Sequence, residues 1–146
     1  MIIKQISVFV ENGVGGIAEI TKILGEEKIN IRSAYVADAS EFGILRLIVA
    51  DTEKAKEVLK ENGYAVKESE VIAIEMPDNP GGLSKILEVL SKEGVNIEYL
   101  YAFVGKSESG ALMVFKVSDA ALAEGALEKS GIVDVKATEI FNMLNK

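Results

Sequence analysis

The sequence predicts an α+β protein made of two tandem β-α-β-β-α-β units. Three observations carry that prediction. Residues 12–31, NGVGGIAEITKILGEEKINI, align without a gap with residues 78–97, DNPGGLSKILEVLSKEGVNI, a shift of 66 positions (78 − 12). Gly15 matches Gly81, Gly16 matches Gly82, Ile20 matches Ile86, Leu24 matches Leu90, and Asn30-Ile31 matches Asn96-Ile97. A self-match at fixed spacing marks a duplicated structural unit. Each copy also lies between segments rich in β-branched residues that read as strands. Finally, 49% of the 146 residues are hydrophobic, enough for a core. Each half has only about 70 residues, where a core is marginal, so the halves are expected to pack on each other or on a second chain.

Taken in order, residues 3–10 read as a strand and Asn12-Gly13-Val14-Gly15-Gly16 as a turn. The three glycines there permit positive φ or close backbone approach. Ile17, Ile20, Ile23 and Leu24 follow helical spacing. Residues 29–37 form a second strand, 40–43 a turn and 44–49 a third strand. Asp51 or Thr52 caps a helix whose apolar face is Ala55, Val58 and Leu59, and Gly63 closes it. Residues 64–67 start a fourth strand. The boundary between units falls near residues 68–70 inside a polar run, giving domains 1–68 and 69–146.

In the second copy residues 71–76 form the first strand, and Pro80 suits the first helical position. Leu83, Ile86, Leu87 and Leu90 make an apolar stripe. Residues 95–104 and 112–117 are strands joined by a turn at 106–110. Residues 119–129 form a helix ended by Gly131, 132–136 the last strand, and 138–146 a short helix docking Ile140, Phe141 and Leu144. Tyr99, Tyr101 and Phe103 face one way and Leu100, Ala102 and Val104 the other. Apolar residues on both faces predict that both faces of the sheet are covered, which is the warrant for self-association. The element order is that of a ferredoxin-like sandwich. We expect the two antiparallel sheets to pack side by side as about eight strands, with the helices on one face, and a homodimer beyond that.

Composition then removes function classes. The net charge of −7, from 23 acidic and 16 basic residues, argues against a nucleic-acid backbone as partner. The chain has no cysteine and no histidine, which excludes thiol, zinc and imidazole chemistry. No apolar run approaches a membrane span, and the N-terminus does not read as a signal peptide. A soluble, cytoplasmic protein without cofactor is expected. Gly13-x-Gly15-x-x-Ala18, with Asp38 further on, matches a dinucleotide fingerprint. The second copy puts Asn79 and Ser84 in place of its glycine and alanine, and an antiparallel hairpin leaves no room for a doubly wound sheet. The surface acids and lysines Asp38, Glu41 and Lys106 form no paired arrangement for catalysis.

The pattern Asn-x-x-Gly-x-(Leu/Ile), a helix, then Gly-(Val/Ile)-Asn-Ile resembles the ACT domain, a regulatory module that binds amino acids. Asp78-Asn79-Pro80-Gly81-Gly82-Leu83 with Gly94-Val95-Asn96-Ile97 carries the resemblance best, and it covers nearly the whole chain as two copies, 1–68 and 69–146. The first copy departs with Val14 for the usual proline and Lys28 for the glycine before the second strand. The second departs with Asp78 where Asn is frequent. The resemblance implies a stand-alone, non-catalytic regulatory protein. Its ligand, a free amino acid, would lie at an ACT–ACT interface held by the first loops and the start of the second strand. The implied ligand residues are Asn12, Gly13, Val14, Gly15, Gly16, Ile17, Asn30 and Ile31 in the first copy. In the second they are Asp78, Asn79, Pro80, Gly81, Gly82, Leu83, Asn96 and Ile97. The loop residues also serve as ordinary turn and cap residues. A structural module that only assembles, with empty loops, is therefore the alternative. A regulated partner protein is implied; no nucleic acid or membrane is.

Overall fold

The computed structural model describes residues 1–37, 41–103, 110–131, 142 and 144. Its elements are β1 (Ile2–Glu11), α1 (Gly16–Glu26), β2 (Ile31–Ala37), β3 (Phe42–Val49), α2 (Thr52–Glu61), β4 (Val66–Met76), α3 (Gly82–Lys92), β5 (Ile97–Ala102), β6 (Ala111–Val117) and α4 (Ala120–Ser130). They fall into two compact units. One is Lys4–Ser69, which Leu144 joins. The other is Met1–Ile3 with Glu70–Met143.

In the first unit the strand order is β2-β3-β1, with β1 and β2 both antiparallel to β3. The Phe9 N–H donates to the Ala65 carbonyl at 3.1 Å, which leads the chain into β4 on the free side of β1. α1 and α2 cover one face. Ile20, Leu24, Ala55 and Leu59 pack with Ile6, Val8, Leu45 and Leu47 as one apolar cluster. The second unit repeats the scheme with order β4-β6-β5, all antiparallel. Ile86, Leu90, Ala123 and Leu127 from α3 and α4 pack there on Ile72, Ile74 and Phe115. Each unit is thus a ferredoxin-like α+β arrangement, and the matched pairs Ile20/Ile86 and Leu24/Leu90 are fully buried in both.

Several expectations change. The segments expected as a fourth and a fifth strand, 64–67 and 71–76, are one strand, β4. The polar run between them holds no glycine, proline or asparagine to turn the chain, so the extended backbone continues. Six strands are present among the described residues, not eight. The expected last strand at 132–136 and the turn at 106–109 lie outside the described residues, as do Asp38, Val104 and all but residues 142 and 144 of the C-terminal helix. Phe42 and Gly43, expected in a turn, open β3 opposite Glu11 and Val10. Pro80 is not the first helical residue; α3 begins two positions later.

Part of the face turned away from the helices is also buried in each unit, though Phe9 and Phe42 remain exposed. In the second unit Ala73, Val114, Leu112, Tyr101 and Phe103 are at most 8% exposed. In the first, Gln5, Ser7, Ser33 and Ile48 are buried. The blurred alternation of residues 99–103 goes with a sheet that has buried residues on both faces.

Candidate functional site

The two glycine turns solve the same backbone problem in the same way. Gly15 caps α1 at φ 89°, ψ −6°, and Gly81 caps α3 at φ 85°, ψ −3°, the left-handed region that glycine enters without steric cost. The next glycine answers a different need. A Cβ on Gly16 would stand 3.3 Å from the Glu11 carbonyl oxygen, and one on Gly82 would run into the Pro77 carbonyl oxygen. The first glycine of each pair thus turns the chain, and the second lets the strand end lie against the helix start.

Neither α1 nor α3 has a side-chain cap. By contrast, Asp51 accepts the Lys54 N–H at 3.0 Å at the head of α2, and Asp119 accepts that of Leu122 at 3.0 Å at the head of α4. The uncapped ends are the two on the motif loops. Asn12, Gly13, Val14, Gly15 and Ile17 are exposed and Gly16 half-buried. Asp78, Asn79, Pro80 and Gly81 are exposed, Leu83 half-buried and Gly82 buried. The Gly82 N–H is used by the Asn79 carbonyl at 3.0 Å. Amides at such a helix start, with the partial positive charge of the helix end, are suited to a carboxylate.

The Gly-(Val/Ile)-Asn-Ile half of the motif is a helix stop. Gly94 holds φ 71°, its N–H reaches the Ser91 carbonyl at 3.0 Å, and the Val95 N–H reaches that of Leu90 at 2.9 Å. That is a Schellman motif. Lys28 does the same work at φ 58°, with Ile29 donating to Leu24 at 2.9 Å. Asn30 and Asn96 follow, both exposed, and their carbonyls accept the N–H groups of Ala50 at 3.0 Å and Ser118 at 2.9 Å. The Asn96 N–H also donates to Ser118 Oγ at 3.0 Å. Ile31 and Ile97 are half-buried and pair with Val49 and Val117.

Within a unit the two halves of the motif do not meet. Glu11, ahead of the first loop, pairs with Phe42 at one end of β3, and Ile31 pairs with Val49 at the other. Seven residue steps of strand put about 23 Å between those ends. In the second unit Met76 pairs with Ala111 and Ile97 with Val117, at opposite ends of β6. The structure therefore brings together residues 12–17 as one cluster and 78–83 as another, and leaves Asn30-Ile31 and Asn96-Ile97 a strand length away from the loop of their own unit. An open depression of about 650 Å³ along α3 includes Leu83 but no other motif residue.

Sequence reasoning missed one residue beside the motif. Both units carry a bulge directly after the Asn-Ile pair, between Ile31 and Ser33 and between Ile97 and Tyr99. The extra residues are Arg32 and Glu98. Arg32 Nε and Nη2 are buried without a hydrogen-bond partner.

The sequence pattern of the family described as "ACT domain pair" matches residues 1–143. The chain belongs to that family. Among solved structures this ACT pair is similar to protein BT0572 from Bacteroides thetaiotaomicron. The two share 37% identity at a TM-score of 0.87, over 97% of this chain and 96% of that one. It is also similar to the ligand-free regulatory subunit of aspartate kinase from Thermus thermophilus, with 18% identity, a TM-score of 0.64, and coverage of 88% and 91%. A third likeness is to the aspartokinase alpha and beta subunits, at 18% identity, a TM-score of 0.55, and coverage of 89% and 96%. At that identity the last two show the shared fold alone. No functionally curated protein matches the ACT pair. Among its described residues no helix is long and apolar enough to cross a membrane.

Proposed function

We propose that this ACT pair is a non-catalytic regulatory protein that binds a free amino acid where two ACT units face each other, the units being domains 1–68 and 69–146. One observation carries the reading. The uncapped loop and the Asn-Ile pair stand at opposite ends of each unit's own sheet. A ligand can touch both only if one unit supplies the loop and a facing unit the strand start. The loop amides then hold the α-carboxylate, Asn12 or Asp78 accepts from the α-ammonium, and Asn30 or Asn96 completes the site from the facing unit. Binding across such a seam couples occupancy to assembly, since a ligand that favours one arrangement shifts the population toward it. A homodimer that presents a surface to a regulated protein is the form in which this coupling has an output.

Membership of the ACT domain pair family over residues 1–143 supports a regulatory rather than a catalytic role. Isothermal titration with the responding amino acid tests the site. Replacing Gly81 by Asp adds a carboxylate at the loop with open space around its Cβ, at a backbone cost of roughly 1–2 kcal/mol because the position holds φ 85°. The variant is expected to fold and to bind on the order of a hundredfold more weakly, as a like charge beside a bound carboxylate costs about 2–3 kcal/mol. Unchanged affinity places the ligand elsewhere. Stable oligomers that respond to no amino acid leave an assembly module as the better description.

A further inference from the structure

The unexplained feature beside the motif is Arg32. Comparing the two copies isolates it. In the second unit the bulge residue is Glu98, and its carboxylate meets Lys116 Nζ at 3.3 Å on the neighbouring strand, in a half-exposed pair. Lys116 pairs in register with Tyr99. The matching residue in the first unit pairs in register with Ser33 and is Ile48, which is buried. Where the second copy has a Glu–Lys pair, the first thus has Arg beside Ile. The first copy has a cation at the bulge where the second has an acid, and no acid on the neighbouring strand opposite it.

The consequence is a guanidinium whose Nε and Nη2 are both buried and unpartnered. These two atoms lie along one edge of the planar group, and together they form the fork that receives a carboxylate side-on, with two parallel hydrogen bonds. A buried charged donor without a partner destabilises the folded state more than a neutral one, so a protein that retains it calls for an explanation. We propose that the Arg32 fork receives a carboxylate group of the ligand. This deepens the amino-acid-binding reading and rests on it: Arg32 follows directly on Asn30-Ile31, the strand start assigned to the ligand. Both N–H groups are closed off in the empty protein, so the start of β2 opens to admit the anion, and pairing the fork offsets the cost of opening. The second copy, with Glu98 in that place, repels a carboxylate. The two copies are therefore unequal, and carboxylate recognition at the bulge belongs to the first.

Thermal melting of the full chain and of Arg32→Met and Arg32→Lys tests this. The probes are aspartate, asparagine, alanine, alaninamide and succinate, each at millimolar concentration. Methionine keeps the unbranched apolar stem out to the position of Nε without the unpaired donors. The ligand-free Arg32→Met protein is therefore expected to melt no lower than wild type, and to bind the responding probe at least about tenfold more weakly. Arg32→Lys, a point charge without the fork, is expected to weaken binding in the same direction. A response to aspartate and succinate but not asparagine assigns the fork to a side-chain carboxylate. A response to every amino acid but not to alaninamide assigns it to the α-carboxylate. Both support the inference. Wild-type affinity in both variants overturns it and leaves the proposed function standing, as does a lowered ligand-free melting temperature in Arg32→Met, which would mark a structural role. If no amino acid shifts the wild type, the proposed function falls, and succinate alone decides the fork. A succinate shift lost in Arg32→Met keeps it as an anion site, and no succinate shift removes it.

Discussion

Lys28 holds φ 58° at a helix stop where the second copy has Gly94 at φ 71°. A side chain in that region brings Cβ against the following carbonyl, at a cost of roughly 1–2 kcal/mol, partly offset by the extra freedom glycine has when unfolded. Lys28→Gly is therefore expected to stabilise the protein by about 0.5–1 kcal/mol. Gly94→Lys is expected to destabilise it by a similar amount, each read from the midpoint of urea unfolding at constant slope. The paired glycines give a second contrast. Gly82→Ala drives a methyl into the Pro77 carbonyl oxygen, whereas Gly16→Ala meets the Glu11 carbonyl oxygen at 3.3 Å, a gap that a small shift relieves. Gly82→Ala should cost several times more stability in the same assay.

At the scale of elements, the helix starts divide into two kinds. Asp51 and Asp119 close α2 and α4, and replacing either by Ala is expected to cost about 1 kcal/mol. Asp119→Ala affects the second unit and Asp51→Ala the first. α1 and α3 have no such cap to lose. Next to α2, Lys4 and Lys56 both pair with Glu53 and Glu68, at 3.2 and 3.1 Å from Lys4 and 3.0 Å from Lys56 to Glu53. Hydrogen bonds from Lys56 and then Lys4 hold both carboxyls below the ordinary glutamate range. A lowered carboxyl stabilises the fold above the unfolded value of about 4.3, and that contribution disappears as pH falls through the folded value. The lysines, raised by Glu68 and then Glu53, contribute through neutral pH and lose it only as pH climbs through the raised value, above about 10.4. Glu68→Gln is expected to flatten the acid limb of the stability profile below about pH 4.3 while leaving the limb between pH 6 and 8 unchanged in slope. Because the cluster is exposed, high salt should reduce the difference.

For the whole molecule, the duplication decided how much could be read in advance. Ile20 and Ile86, or Leu24 and Leu90, sit at helical spacing in both copies, and agreement between copies made the helices and their buried faces legible. The glycine turns were legible because few residues reach positive φ. β4 was not, because residues 66–70 mix charge and apolar side chains in a way that reads equally as linker or strand; only the pairing partner decides. Arg32 was not legible either. A bulge shifts the register by one residue, and period-two reading cannot see which side chain is left over or whether its donors find a partner. The proposed ligand residues could be named from the family motif, but their placement at opposite ends of each sheet needed strand pairing, which the sequence does not print. Self-association was expected from apolar residues on both faces, and Ala73, Leu112 and Val114 on the face away from the helices are buried.

The most direct test of the account is a thermal-melt screen of the wild-type chain against the twenty amino acids, each at millimolar concentration. A ligand selective for the folded state stabilises it by mass action, by ~2.7 kcal/mol at a hundredfold excess over its dissociation constant. The account predicts a rise in melting temperature confined to one amino acid or a chemically related pair, and lost in Gly81→Asp. A flat panel, or an equal rise with all twenty that survives in Gly81→Asp, would contradict it.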